Sequence, residues 1–181
     1  CKTATGLASW NMGKTIKFAN GGLRMYIGAP GVSGTNKVHQ WNLTTAYSLA
    51  SSNLSYQGDS GNIFSTNIRA LRFESARKLW SSADNGVLTL YNMTADWDIT
   101  TATASSTTSG TIGQSRAVGL AISNDGSLAA YSDVYGGNNR GYTSWDAGWG
   151  FTSTSGKTAF TYGGAIGAST NTGDMHFAGA G

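Results

Sequence analysis

The feature that most constrains this chain is an internal repeat of about 50 residues. Gly22-Leu23-Arg24-Met25-Tyr26-Ile27-Gly28 returns as Ala76-Arg77-Lys78-Leu79-Trp80-Ser81-Ser82, as Gly126-Ser127-Leu128-Ala129-Ala130-Tyr131-Ser132, and, one residue shorter after its glycine, as Gly173-Asp174-Met175-His176-Phe177-Ala178-Gly179. Taking Met25, Leu79, Ala129 and Met175 as equivalents gives spacings of 54, 50 and 46 residues. A second marker keeps the same period. Gln40-Trp41-Asn42-Leu43-Thr44-Thr45-Ala46-Tyr47 is matched by Leu90-Tyr91-Asn92-Met93-Thr94-Ala95-Asp96-Trp97 and more weakly by the stretch ending at Trp149, which places Tyr47, Trp97 and Trp149 50 and 52 residues apart. A fixed period of this length makes each repeat one supersecondary unit that must stack on its neighbours to bury its apolar faces.

Each unit reads as four short strands. Strands are expected at Leu23–Gly28, Val38–Leu43, Ala70–Phe73, Lys78–Ser82, Leu88–Asn92, Val118–Ser123 and Leu128–Ser132, with Gly141–Trp145 and Thr158–Tyr162 completing the third unit. Alternation puts Leu23, Met25 and Ile27 on one face of their strand. Leu79 and Ile122 read as inward-facing and Lys37 as solvent-facing. Asn124-Asp125-Gly126 is a tight-turn signal, because these residues tolerate positive φ. Four strands every 50 residues is the arithmetic of a β-propeller blade. The fold class expected is therefore all-β: a propeller-like array of four-stranded antiparallel blades, with units at about 14–63, 64–114 and 115–164 and a partial unit at 165–181. Two readings of the ends follow. Either a strand at Leu7–Met12 completes the last unit and closes a ring, with residues 1–13 supplying the missing piece, or the chain, which begins at Cys1, is an excerpt of something longer.

Composition agrees with β structure. The 26 glycines stand against one proline, only 12% of residues are charged, and aromatics reach 11%, a balance that suits short strands and polar turns and is unlike a disordered chain. Net charge is +3, from 12 Lys+Arg against 9 Asp+Glu. The basic residues are scattered, and the densest run, Arg69 to Lys78, alternates as the solvent face of a strand would, so nothing points to nucleic acid. No apolar run is long enough to span a bilayer. The single cysteine, Cys1, forms no intrachain disulfide.

The run Tyr91-Asn92-Met93-Thr94-Ala95-Asp96-Trp97-Asp98-Ile99-Thr100-Thr101-Ala102, followed by Val118-Gly119-Leu120-Ala121-Ile122-Ser123-Asn124-Asp125-Gly126, resembles the repeats of β-propeller proteins found among phage tail and structural proteins and secreted proteins of marine bacteria. The resemblance covers most of the chain from about Thr15 onward. It implies a non-enzymatic virion or extracellular structural or adhesion protein, such as a fibre, tail or head-decoration component. Its expected partners are other virion or surface proteins, copies of itself, or a cell-surface glycan. A carbohydrate-binding, lectin-like propeller is the alternative.

No motif points to catalysis, a metal or a cofactor. His39 and His176 fall in expected strands without cysteine partners or helical spacing, and there is no Gly-x-Ser-x-Gly elbow. Asp96 and Asp98 flank Trp97, where they could accept bonds from backbone N–H groups. Asn42, Asn53 and Asn92 match the glycan-acceptor pattern. Trp41, Trp80, Trp97, Trp145 and Trp149 could stack on sugar rings, although Tyr47, Trp97 and Trp149 recur with the repeat and read as packing. The richest local cluster of polar and aromatic groups is Tyr135, Asn138, Asn139, Arg140, Tyr142 and Trp145, which is the ligand-binding candidate at this level.

Overall fold

In the computed structural model, the described residues are 15–29, 36–64, 67–83, 87–108, 117–123, 129–133, 140–143 and 158–161. They form twelve strands: β1 (Thr15–Ala19), β2 (Arg24–Ala29), β3 (Lys37–Leu43), β4 (Leu54–Asp59), β5 (Ile68–Ser75), β6 (Lys78–Ala83), β7 (Leu88–Met93), β8 (Ala102–Thr108), β9 (Ala117–Ile122), β10 (Ala129–Asp133), β11 (Arg140–Thr143) and β12 (Thr158–Thr161). The strands assemble in chain order into three four-stranded sheets, β1 to β4, β5 to β8 and β9 to β12, with every neighbouring pair antiparallel. The expected strands lie within a residue or two of these. The fourth copy of the motif, the Leu7–Met12 strand and the Asn124-Asp125-Gly126 turn lie outside the described residues.

The repeat is visible in backbone detail. Phe18 pairs with Met25 as Phe73 pairs with Leu79, and Met25 pairs with Trp41 as Leu79 pairs with Tyr91. The third-to-fourth strand register slips between Gln40 and Trp41 in the first sheet and between Thr89 and Tyr91 in the second. Such a slip is the mark of a bulge, which bends a strand and re-aims the residues after it. After the third strand the chain is held by the same two bonds. Leu43 N donates to Leu23 O and Met93 N to Arg77 O, at 2.9 and 2.8 Å, while Tyr47 N donates to Gly22 O and Trp97 N to Ala76 O, at 3.0 and 2.7 Å. Tyr47 and Trp97 share φ = 58°, a left-handed conformation uncommon for a bulky residue.

The core lies between the first two sheets. Tyr26 and Val38 meet Ile68, Leu71, Leu79, Tyr91, Met93 and Ile99 there in one buried cluster. Gly28 permits the close approach: a Cβ at that position would lie 2.8 Å from Thr15 Cγ2 and 3.0 Å from Ile68 Cγ2. The second sheet is covered on both sides, which explains why four successive residues of β6, Leu79 to Ser82, are all buried. Leu79 and Ser81 face the first sheet, while Trp80 and Ser82, with Ala70, Leu88 and Leu90 beside them, face the other way, where β9 lies against β5 and β6. Trp80 Nε1 donates to Glu74 Oε2 at 2.9 Å, satisfying the polar end of a fully buried ring.

This arrangement corrects the expected propeller. Among the described residues the sheets are separate, flat and uncurled, with no closure into a ring. A closed ring would cover every sheet on both faces, whereas the outward side of the first sheet leaves Ile16 54% exposed. The resemblance to propeller repeats, and the phage and tail-fibre assignment drawn from it, lose their footing with the ring. The repeat period is real, but a period of this length specifies only four strands per unit, not how successive units turn. A second correction concerns Lys37. It is half-buried and ion-paired to Asp59 at 3.1 Å rather than free in solvent.

Leu79 and Ile122 are 0 and 2% exposed. Leu79→Ala is expected to cost about 2–5 kcal/mol, and Leu79→Asp or Ile122→Asp more, since each buries an unpaired carboxylate. A change at exposed Ser52 is expected to stay within about 0.5 kcal/mol. Chemical denaturation of the four variants checks this, and similar midpoints for Leu79→Asp and Ser52→Asp would overturn the assigned core.

Candidate functional site

The turn linking β7 to β8 is built by its own polar side chains. Asp98 Oδ1 accepts from Thr100 N at 3.0 Å and from Thr100 Oγ1 at 2.7 Å, capping the short 3-10 turn Ile99–Thr101 as an aspartate at this position does. Thr101 Oγ1 donates to Asp98 O at 2.8 Å and accepts from Thr94 N and Ala95 N at 3.2 and 3.3 Å. Asp96 pairs with Arg77 at the surface. Two side chains of the first sheet then tie this turn down: Tyr26 Oη donates to Trp97 O at 2.8 Å, and Gln40 Oε1 accepts from Ile99 N at 2.8 Å. Burial raises the Tyr26 phenol well above its ordinary value, with Arg24 opposing and Asp98 adding to the shift, so the hydroxyl remains a donor at any working pH.

Beside these ties a cleft of about 210 Å³ opens between the first sheet and the turn. Arg24, Gln40, Asn42 and Gln57 line one wall, and Ala95 to Asp98 with Thr100 line the other. Antiparallel register sets the first wall, because Arg24 lies opposite Asn42 and Tyr26 opposite Gln40. Within it, Arg24 Nε and Asn42 Oδ1 are buried and have no hydrogen-bond partner among the described residues. A buried donor or acceptor left unpaired costs about 1–3 kcal/mol, and both of these belong to residues that line the cleft. Arg24 Nη1 donates to Leu23 O at 3.2 Å, which fixes the guanidinium without occupying its Nε. The cleft is thus walled by a guanidinium and an amide on one side and by Trp97 on the other.

Of the residues singled out from sequence, the structure gathers Asp96, Trp97, Asp98 and the acceptor asparagine Asn42 at this cleft. Trp41 and Trp80 are 5 and 0% exposed and cannot stack on an outside ligand. Tyr47, read as packing, is 64% exposed, with its ring 5.4 Å from Phe18. Tyr135, Asn138, Asn139 and Trp145 lie outside the described residues, as do Trp149 and His176. Arg140 and Tyr142 belong to β11 and pair with Asp133 and Tyr131. Arg24, Gln40 and Gln57 were not foreseen. Their signal was present as a polar alternation, Arg24 on one strand with Gln40 and Asn42 on the next, but only register shows that these residues share a wall. Among the described residues no group of three or more His, Cys, Asp or Glu is placed to hold a metal ion, and no helix is long and apolar enough to cross a membrane.

His39, on the opposite face of β3, is 7% exposed, with Nδ1 3.0 Å from Tyr56 Oη. Burial drives its imidazole down from 6.5 to about 4, with Asp59 opposing and Lys37 adding to the fall. At Asp59 burial raises the carboxyl, but the Gly61 N–H bond and Lys37 outweigh it and leave it below its ordinary value. Because the unfolded chain protonates His39 at a higher pH than the folded one, its contribution is complete above pH 6.5 and is lost as pH falls toward about 4. Thermal stability is expected to drop across that interval, and His39→Gln to flatten the drop. Parallel profiles for the two proteins would refute the burial argument. In comparisons with known proteins, the chain matches no protein-family model and no curated protein sequence.

Proposed function

We propose that this chain is a non-enzymatic, extracellular binding module that takes one residue of a surface glycan in the cleft between its first and second sheets. A single observation carries the reading: Arg24 and Asn42, whose Nε and Oδ1 are a buried donor and acceptor without a partner among the described residues, line the same cleft as Trp97. A vicinal diol presents both a donor and an acceptor, and the apolar face of a sugar ring suits an aromatic surface. Size favours one ring, since drug-sized ligands occupy pockets of about 300–1,000 Å³. The cleft is lined mainly by amides, carboxylates and a guanidinium, which suits a hydroxyl-rich ligand better than an apolar one. The virion role depended on the propeller resemblance and loses its support with it, whereas surface adhesion through a glycan rests on the cleft itself.

The test separates ligand recognition from folding. Asn42→Leu removes an unpaired buried acceptor, so it should leave stability unchanged or raise it while abolishing binding on a glycan array. Arg24→Met should do the same. Retained binding by both variants, or no glycan bound by the unaltered protein, would overturn the proposal, and turnover of a glycoside would replace it with an enzyme.

A further inference from the structure

The cleft sorts ligands by charge as well as by size. Among the described residues four charged side chains bear on it. Arg24 stands on the first-sheet wall, Asp96 and Asp98 stand on the turn wall, and Arg77 is ion-paired to Asp96. Two positive and two negative groups leave no net charge. The Arg77–Asp96 pair closes on itself at the surface, with both side chains 61% exposed, so solvent screens what field it has left. The effective charges are therefore Arg24 on one wall and Asp98 on the other. No ion pair joins these two among the described residues, yet both act on one group. Beyond the burial that dominates its shift, the Tyr26 phenol is lowered by Arg24 and raised by Asp98. The rest of the lining, Gln40, Asn42, Gln57 and Thr100 among it, is uncharged.

Each class of sugar meets these walls differently. A sugar acid brings a carboxylate that Arg24 attracts and Asp98 repels, and an amino sugar reverses both signs. Either must give up its hydration on entering, with no net attraction to offset the loss. A sugar bearing only hydroxyls loses less, and each hydroxyl both donates and accepts. It can accept from the guanidinium and donate to the carboxylate, and bonds to a charged partner are about twice as strong as those between neutral groups. Existing bonds point the same way. Arg24 Nη1 is already held by Leu23 O, and Asp98 Oδ1 by Thr100 N and Oγ1, so each group has spent part of its capacity on its own placement. What remains suits single bonds to hydroxyls rather than the bidentate pairing that captures a full opposite charge. We infer that the cleft selects an uncharged sugar residue, and that Arg24 and Asp98 enforce this by cancelling each other across it. The selection rests on the glycan-binding reading of the same cleft.

A glycan array carrying neutral, acidic and amino sugars tests this with the full chain. The unaltered protein is expected to bind neutral glycans. Their affinity should change less than about twofold between low and high salt, since no net charge is there to be screened. Asp98→Asn keeps a side-chain oxygen for the Thr100 bonds while leaving Arg24 unbalanced. It is expected to raise the ratio of acidic to neutral binding by about fivefold or more, the effect of one unit charge at about 4 Å in water. The salt series needs no variant, so it remains decisive even if the substitution weakens the turn. Preference of the unaltered protein for acidic, amino or zwitterionic glycans, lost on Asn42→Leu, would refute the charge selection and leave the cleft as the binding site. A steep salt dependence, or a folded Asp98→Asn protein with an unchanged ratio, would refute it equally. No glycan bound, or binding that survives Asn42→Leu, would instead remove the glycan reading and the selection with it.

Discussion

The arrangement of the first two sheets depends on two bonds from one to the backbone of the other. Tyr26 donates to Trp97 O and Gln40 accepts from Ile99 N. A four-stranded sheet of this length has two faces and cannot bury either alone, so its apolar residues become a core only when a second sheet is set against them. Apolar contact supplies the drive but not the register, because it is non-directional. Tyr26 and Gln40 supply the register. They face each other across β2 and β3 and grip peptide groups only two residues apart in the turn, so a slip of one sheet on the other would leave both buried polar ends unpaired.

The cleft is a by-product of that grip. Holding the turn of the second sheet close at Tyr26 and Gln40 leaves a gap farther along the same strands, where Arg24 and Asn42 face it. A chain selected for stability alone would fill that gap with apolar side chains. Here it keeps a guanidinium nitrogen and an amide oxygen buried without partners among the described residues, as it does polar atoms of Thr15 and Asn36 elsewhere, a departure from the rule that buried polar groups are satisfied. Trp97 on the opposite wall has φ = 58°, a conformation it shares with its repeat counterpart Tyr47.

Repetition gives the molecule similar surfaces with different fates. The second sheet, covered on both sides, turns its middle strands into runs of buried residues. Among the described residues the first sheet has a neighbour on one side, and its other face sets buried Met25 and Trp41 of the middle strands beside exposed Ile16 and Tyr56 of the outer ones. The same four-strand unit therefore reads as core in one place and as open surface in the other, and the position in the stack decides which.

The amino-acid sequence by itself determined the strands, their grouping in fours and the period that relates Met25 to Leu79 and Tyr47 to Trp97, because hydrophobic alternation and turn chemistry are local. It did not determine how the units are set against one another. The propeller-like array expected from a 50-residue period failed because the angle between neighbouring sheets follows from contacts such as Gly28 against Ile68, which join residues far apart in the chain. The positive φ of Tyr47 and Trp97 was equally hidden, since neither residue favours that conformation and the bond to Gly22 or Ala76 that holds it comes from the turn of the preceding hairpin. The cleft was half legible: Trp97 and its flanking aspartates stood out as a local cluster, and Asn42 as an acceptor motif. Arg24, Gln40 and Gln57 are ordinary polar residues on ordinary strands, and only register and the docking of the second sheet bring them to one wall. Side-chain identity is written along the chain, but proximity across it is a property of the packed state.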